Sequence, residues 1–259
     1  MAAKYAGVDL SYANANVDYK ALKAGSINGY KVKFAMLRLG HGTQKDMLFD
    51  KHYKGCKDAG IYVGVYHWTY ATNVAEARAE ADWAIKELAG CDIDYPIAFD
   101  FEDKNVLAAG LTKAQYTAIC KAYMDRIKAA NYYPMLYCNP STIDQHLNFA
   151  DFSAYDLWLA QYTSEGYQRD FGQGMWQFTV AGHPTMDYGR IRAVTGVKGQ
   201  CDCNWAYIGY AAKIKKLGMN KPVVSYKVTG TKTVTKDKLP EAQGQLKALG
   251  FSVTAEKEV

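Results

Sequence analysis

The stretch Pro96-Ile97-Ala98-Phe99-Asp100-Phe101-Glu102 is a short apolar run that turns acidic at its end. Side chains alternate along a strand, so Asp100 and Glu102 point one way while Phe99 and Phe101 point the other. Aromatic rings on one face and two carboxyls at the C-terminal end suit a parallel α/β barrel. There the outer face of each strand packs on helices and the strand ends open into a mouth.

Similar β-rich runs recur on either side, at residues 5–10, 32–39, 61–68, 134–138, 157–162, 175–178 and 200–204, which with 96–101 makes eight candidate strands. Amphipathic segments of helical period lie between the early ones, at 47–59, 74–88 and 113–129. Gly60, Gly90 and Asn131 stand where left-handed caps are needed. Strand, helix, strand in repetition implies a parallel sheet. From Leu157 onward the strands come closer together and loops replace full helices. The expected fold class is α/β, an irregular TIM-like barrel of eight strands with its helices mainly in the first half.

At 259 residues, 49% of them hydrophobic, the chain can bury one large core of the size such a barrel uses. No run of about 18 apolar residues occurs, so no membrane insertion is expected. Residues 1–10 lack the basic start, apolar stretch and cleavage site of a secretory signal, which leaves a removed signal or another export route. The six cysteines form no Cys-x-x-Cys pair and read as mostly buried thiols rather than a zinc site or a disulfide framework. Cys201 and Cys203 should share one strand face, with Asp202 on the other.

The barrel is assigned to residues 1–217, ending in a helical stretch from 204 to 217. Residues 218–222 read as a linker. Residues 223–259 read as a small basic βαβ extension: a strand at 223–228, a helix at 239–249 capped by Gly250, and a strand at 251–255. Ten lysines against four acids fall in residues 211–259, so this tail is at +6 and the rest of the chain at −1, which together give the formal charge of +5. A unit this small should dock on the barrel or associate with a second copy. Its charge favours an anionic surface.

The strand ends carry the chemistry. They present Asp9, then Tyr66-His67-Trp68, then Asp100 and Glu102, Tyr137, Gln161, Trp176 and Asp202. Two carboxyls side by side resist joint ionisation, and partial burial raises the pKa of one, making a proton donor near neutral pH. Glu102, with the longer arm, is the expected general acid, with Asp100 beneath it. Aromatic faces around the acids suit stacking on sugar rings. Clustered acids with His67 could instead hold a hard cation. Alternation with Tyr66 and Trp68 turns His67 away from the mouth, so no metal and no cofactor are expected; His41 lies nearer the cleft.

Seven segments in order resemble the glycoside hydrolase family 25 lysozymes: Gly7-Val-Asp-Leu-Ser11, Phe34-Ala-Met-Leu-Arg-Leu-Gly40, Ala59-Gly-Ile-Tyr-Val-Gly-Val-Tyr-His-Trp68, Pro96 to Glu102, Leu157-Trp-Leu-Ala-Gln-Tyr162, Met175-Trp-Gln-Phe178 and Asp202-Cys-Asn204. The resemblance implies a (β/α)5β3 barrel. It also implies hydrolysis of the β-1,4 bond between N-acetylmuramic acid and N-acetylglucosamine in bacterial peptidoglycan, at the cell wall or outside the cell, with no nucleic-acid partner. It maps catalytic roles onto Asp9, Asp100, Glu102 and Asp202, and substrate contacts onto Tyr66, Trp68, Tyr137, Gln161 and Trp176. Other readings are a chitinase-like or endo-N-acetylglucosaminidase activity, which usually shows more alternating acids before the Asp-x-Glu pair, and a catalytically silent glycan-binding barrel, which would lack the acids.

Overall fold

The computed structural model describes residues 5–163, 169–186, 191–221 and 238–248. The strands are β1 (Tyr5–Leu10), β2 (Ser26–Ile27), β3 (Tyr30–His41), β4 (Gln44–Lys45), β5 (Tyr62–Trp68), β6 (Ile97–Asp100), β7 (Pro134–Cys138), β8 (Asp156–Ala160), β9 (Met175–Ala181) and β10 (Cys201–Ala206). The helices are α1 (Tyr19–Ala24), α2 (Phe49–Asp58), α3 (Val74–Glu87), α4 (Lys104–Leu107), α5 (Lys113–Ala129), α6 (Pro140–His146), α7 (Tyr210–Leu217) and α8 (Leu239–Ala248). All eight expected strands form. The helices expected at 47–59, 74–88 and 113–129 are α2, α3 and α5, and Gly60, Gly90 and Asn131 hold φ of +69°, +84° and +66° just beyond them. A reciprocal cap between Thr112 and Gln115 starts α5.

Eight strands close into a barrel in the order β1-β10-β9-β8-β7-β6-β5-β3, and parallel pairing of β1 with β3 completes the ring. β2 and β4 are short antiparallel additions to β3. From β3 through β9 neighbouring barrel strands run parallel, but β10 is antiparallel to both β9 and β1. The parallel pairing implied by the strand–helix repeat thus holds through β9 and gives way at β10. No helix is found among the described residues of 182–200 to carry the chain back across the barrel, so it turns and runs against its neighbours.

Alternation divides the core in two. Side chains such as Phe34, Met36, Tyr95, Met135, Trp158 and Met175 fill the barrel, while Val8, Leu37, Val65, Phe99 and Leu159 face the helices. Phe34 stacks on Tyr95 at 4.6 Å. Gly7 makes room for that stack, since a Cβ there would lie 2.4 Å from the Phe34 ring. On the outside, Phe99 and Phe101 pack against Tyr123 and Tyr116 of α5. His67 is the buried, hydrogen-bonded core histidine expected. Its Nε2 donates to the Gly42 carbonyl (2.7 Å), and burial lowers its pKa to about 4.

Two expectations near the barrel's end need correction. The helix expected from Asn204 begins at Tyr210, because β10 continues to Ala206 with Asn204 turned inward and Trp205 stacked outside on Phe178 at 4.9 Å. Residues 218–221, read as a linker, are bonded to the barrel instead. Asn220 donates its backbone N–H to the Asn131 carbonyl and its Nδ2 to the Tyr95 carbonyl, and its Oδ1 accepts from the Tyr133 N–H. All three partners precede β6 or β7, so this stitch lies opposite the mouth. The chain divides into two units, Met1–Val223 and Val224–Val259. In the second, α8 forms where a helix was expected at 239–249; the strands expected at 223–228 and 251–255 and the Gly250 cap lie outside the described residues. No helix among the described residues is long and apolar enough to cross a membrane.

Candidate active site

The C-terminal ends of the parallel strands enclose a pocket lined by Asp9, Arg38, Tyr66, Trp68, Asp100, Glu102, Tyr137, Trp158 and Gln177. Each comes from an inward position of its strand or the residues just after it. Asp9 enters from β1, where its Oδ2 accepts from Gln177 Nε2 (3.0 Å) and Asn204 Nδ2 (2.8 Å). The antiparallel register sets Asp202 directly across from Asp9. The reversal of β10 thus brings the start of that strand, rather than its end, to the mouth.

The carboxyls do not share one proton affinity. Burial pushes Asp9 up to about 6, against the two amide donors that hold its charged form. Burial and the charge of Asp9 push Glu102 up to about 7. Asp100 rises well above the usual carboxylate range through burial and the charges of Glu102 and Asp9, with Arg38 opposing, and its Oδ1 has no hydrogen-bond partner among the described residues. Asp202 also rises well above that range, through burial and the charge of Asp9. Asp9 is therefore the carboxyl that ionises most readily, and Glu102 keeps its proton to near neutrality.

Polar side chains fix the surroundings. Gln177 Oε1 accepts from the hydroxyls of Tyr137 (2.9 Å) and Tyr162 (2.7 Å), so its amide nitrogen must face Asp9. Asn204 Oδ1 takes the indole N–H of Trp158 (2.8 Å). Trp68 donates to Asp103 Oδ2 (3.3 Å), while Asp103 Oδ1 caps α4 immediately after Glu102. Arg38 is gripped through Nε and Nη2 by Asp46 (2.8 Å each). Among the described residues no group of three His, Cys, Asp or Glu side chains is placed to hold a metal ion.

Of the expected site residues, Asp9, Tyr66, Trp68, Asp100, Glu102 and Tyr137 line the pocket, and Asp202 stands behind it beside Asp9. Gln161 and Trp176 do not line it. Trp176 packs outside against Phe178 and donates its indole N–H to the Gln161 carbonyl (2.8 Å). The next residue along each segment, Tyr162 and Gln177, faces inward instead. His41 pairs with Tyr70 and is likewise absent from the lining. Arg38, Trp158, Tyr162, Gln177 and Asn204 were missed. Their inward parity on β3, β8, β9 and β10, or for Tyr162 just past the end of β8, was the available signal, blurred where both faces of a strand are apolar. All six cysteines are free thiols, and Cys201 and Cys203 are buried on the side of β10 away from Asp202.

A closed α/β barrel that gathers carboxyls of divergent proton affinity among aromatic rings has the build of a glycoside hydrolase. The chain belongs to the glycosyl hydrolases family 25, whose profile matches residues 8–185. A curated relative, the autolytic lysozyme of Clostridium acetobutylicum, is 22% identical over 196 residues, covering 76% of this chain and 54% of that protein. The chain thus spans about half the length of the curated relative it matches. Among solved structures, the CTP1L endolysin is 26% identical with a TM-score of 0.65, covering 82% of this chain and 70% of the other. A bacterial lysozyme from Streptomyces coelicolor, 20% identical, shares the fold with a TM-score of 0.65 over 84% of this chain and 98% of its own.

Proposed function

We propose that the chain hydrolyses the β-1,4 bond between N-acetylmuramic acid and N-acetylglucosamine in bacterial peptidoglycan, with Glu102 as general acid. Glu102 carries the reading: it is half-buried at the pocket, its pKa is pushed up to about 7, and it therefore holds a proton that a glycosidic oxygen can take. Asp9, with its pKa of about 6 and two amide donors, supplies negative charge against an oxocarbenium-like sugar. Asp202 stands across from Asp9 and supports it, and Asp100, whose proton affinity burial and the charges of Glu102 and Asp9 raise, faces the substrate beneath Glu102. Tyr66, Trp68 and Tyr137 form walls for the sugar rings. The relatives named above are lysozymes and an endolysin, in keeping with a wall substrate reached outside the membrane. The lysines of residues 211–259 add attraction to an anionic wall.

Digestion of purified peptidoglycan tests this. New reducing ends should terminate in muramic acid. Ends in glucosamine would overturn the bond assignment, and wall binding without sugar release would replace hydrolysis by a glycan-binding role.

A further inference from the structure

We infer that Tyr12 and Tyr70 form an aromatic rail at the rim of the mouth, holding further N-acetylhexosamine rings of the glycan strand beyond those seated in the pocket. The inference deepens the glycosidase reading and rests on it. Each tyrosine stands two residues past the end of a barrel strand, Tyr12 after β1 and Tyr70 after β5, and therefore on the mouth side. They are 55% and 50% exposed, high for large rings on loops that a fold could turn inward.

Both loops are tied by a backbone N–H to a buried carboxylate, and each ring has a partner on β3. The Tyr12 N–H donates to Asp46 Oδ2 (3.0 Å), and the guanidinium of Arg38, bound to that same oxygen, lies over the Tyr12 ring at 4.5 Å. The Tyr70 N–H donates to Glu80 Oε1 (3.0 Å), while Glu80 Oε2 takes the Thr69 hydroxyl (2.7 Å). The Tyr70 ring rests against His41 at 5.7 Å and covers Gly42, where a Cβ would come within 3.2 Å of it. Asp46 and Glu80 are only 4% and 6% exposed. A buried carboxylate is tolerated only when its oxygens are bonded, and here both carboxylates bond the loops that carry exposed rings.

Arg38 and His41 belong to β3, so the two rings flank the end of one strand. Arg38, whose guanidinium lies over the Tyr12 ring, also lines the pocket, so Tyr12 adjoins it, and Tyr70 follows the pocket-lining Trp68 by two residues. A preformed, water-facing ring loses little freedom on binding, and its face matches the C–H face of a pyranose. The occupant that continuity selects is the next sugar of the same strand.

The test compares wild type, Tyr12→Ala, Tyr70→Ala and the ring-keeping Tyr12→Phe and Tyr70→Trp on glycan chains of graded length freed of stem peptides. On long chains each alanine variant should lose about five- to tenfold in kcat/KM. On the shortest cleavable chain it should stay within about twofold of wild type, and the ring-keeping variants should match wild type throughout. Equal losses on short and long chains, no loss on long ones, or a loss seen only when stem peptides are present would overturn the rail. Calorimetric titration of the same chains into a Glu102→Gln background reads the rail without hydrolysis. Wild type that cuts nothing, with chain-length-dependent binding lost in Tyr12→Ala, would sink the hydrolase reading and leave the rail standing; binding indifferent to both tyrosines would sink the rail.

Discussion

Asp9 and Glu102 meet in one pocket with different proton affinities, about 6 and about 7: burial raises both carboxyls above their ordinary values, two amide N–H groups steady the charge of Asp9, and the charge of Asp9 adds to the rise of Glu102. Initial rates of wall hydrolysis should therefore peak between these values, falling on the acid side as Asp9 is protonated and on the alkaline side as Glu102 loses its proton. Glu102→Gln should cost about 10²- to 10⁴-fold in kcat and abolish the alkaline limb; retained activity would remove Glu102 from its role. Asn204→Ala removes a donor from Asp9 and strands the Trp158 N–H. It should destabilise the fold by about 1–3 kcal/mol in denaturant titrations and move the acid limb upward. At this scale the sequence made Asp100 and Glu102 legible because their face alternates with Phe99 and Phe101. It left Gln177 hidden behind Trp176, because residues 175–178 read Met-Trp-Gln-Phe and either parity could be inward. Chemistry favoured the tryptophan; packing against Phe178 took it outside.

Elements were read best where local signals stood alone. Left-handed caps at Gly60, Gly90 and Asn131 marked helix ends without help from tertiary structure, and short β-rich apolar runs located every barrel strand. Strand direction was not legible, because alternation looks the same whichever way a strand runs. The antiparallel course of β10 emerges only from its partners β1 and β9. The same pairing explains why residues 204–206 are strand rather than the first turn of α7. Inside the barrel, β1 and β3 approach closely enough that Gly7 has no room for a side chain. Gly7→Ala should lower stability by about 1–3 kcal/mol in thermal unfolding, and adding Phe34→Leu should recover part of that loss. A double variant no more stable than the sum of its parts would show that the strain lies elsewhere.

For the molecule as a whole, a pocket of buried carboxyls whose proton affinity the fold raises ties folding to pH. In the unfolded chain Glu102 titrates near 4.5, whereas in the fold burial and Asp9 hold its proton to about 7. Between those values the native state binds more protons than the unfolded one, so stability must fall as pH rises. The contribution is fully present below about 4.5 and lost once pH passes about 7. Asp9, raised from 3.8 to about 6, acts in the same direction over a lower window. Other groups titrate too, which is why the useful quantity is a difference. Glu102→Gln cannot ionise, so the stability of wild type relative to this variant should decline by roughly 3 kcal/mol between pH 4 and pH 8. Denaturant unfolding of the two proteins at several pH values measures it directly. Curves that stay parallel across that range would mean that Glu102 ionises in the fold as it does in the unfolded chain, and with that the proton it is proposed to donate at neutral pH would be gone.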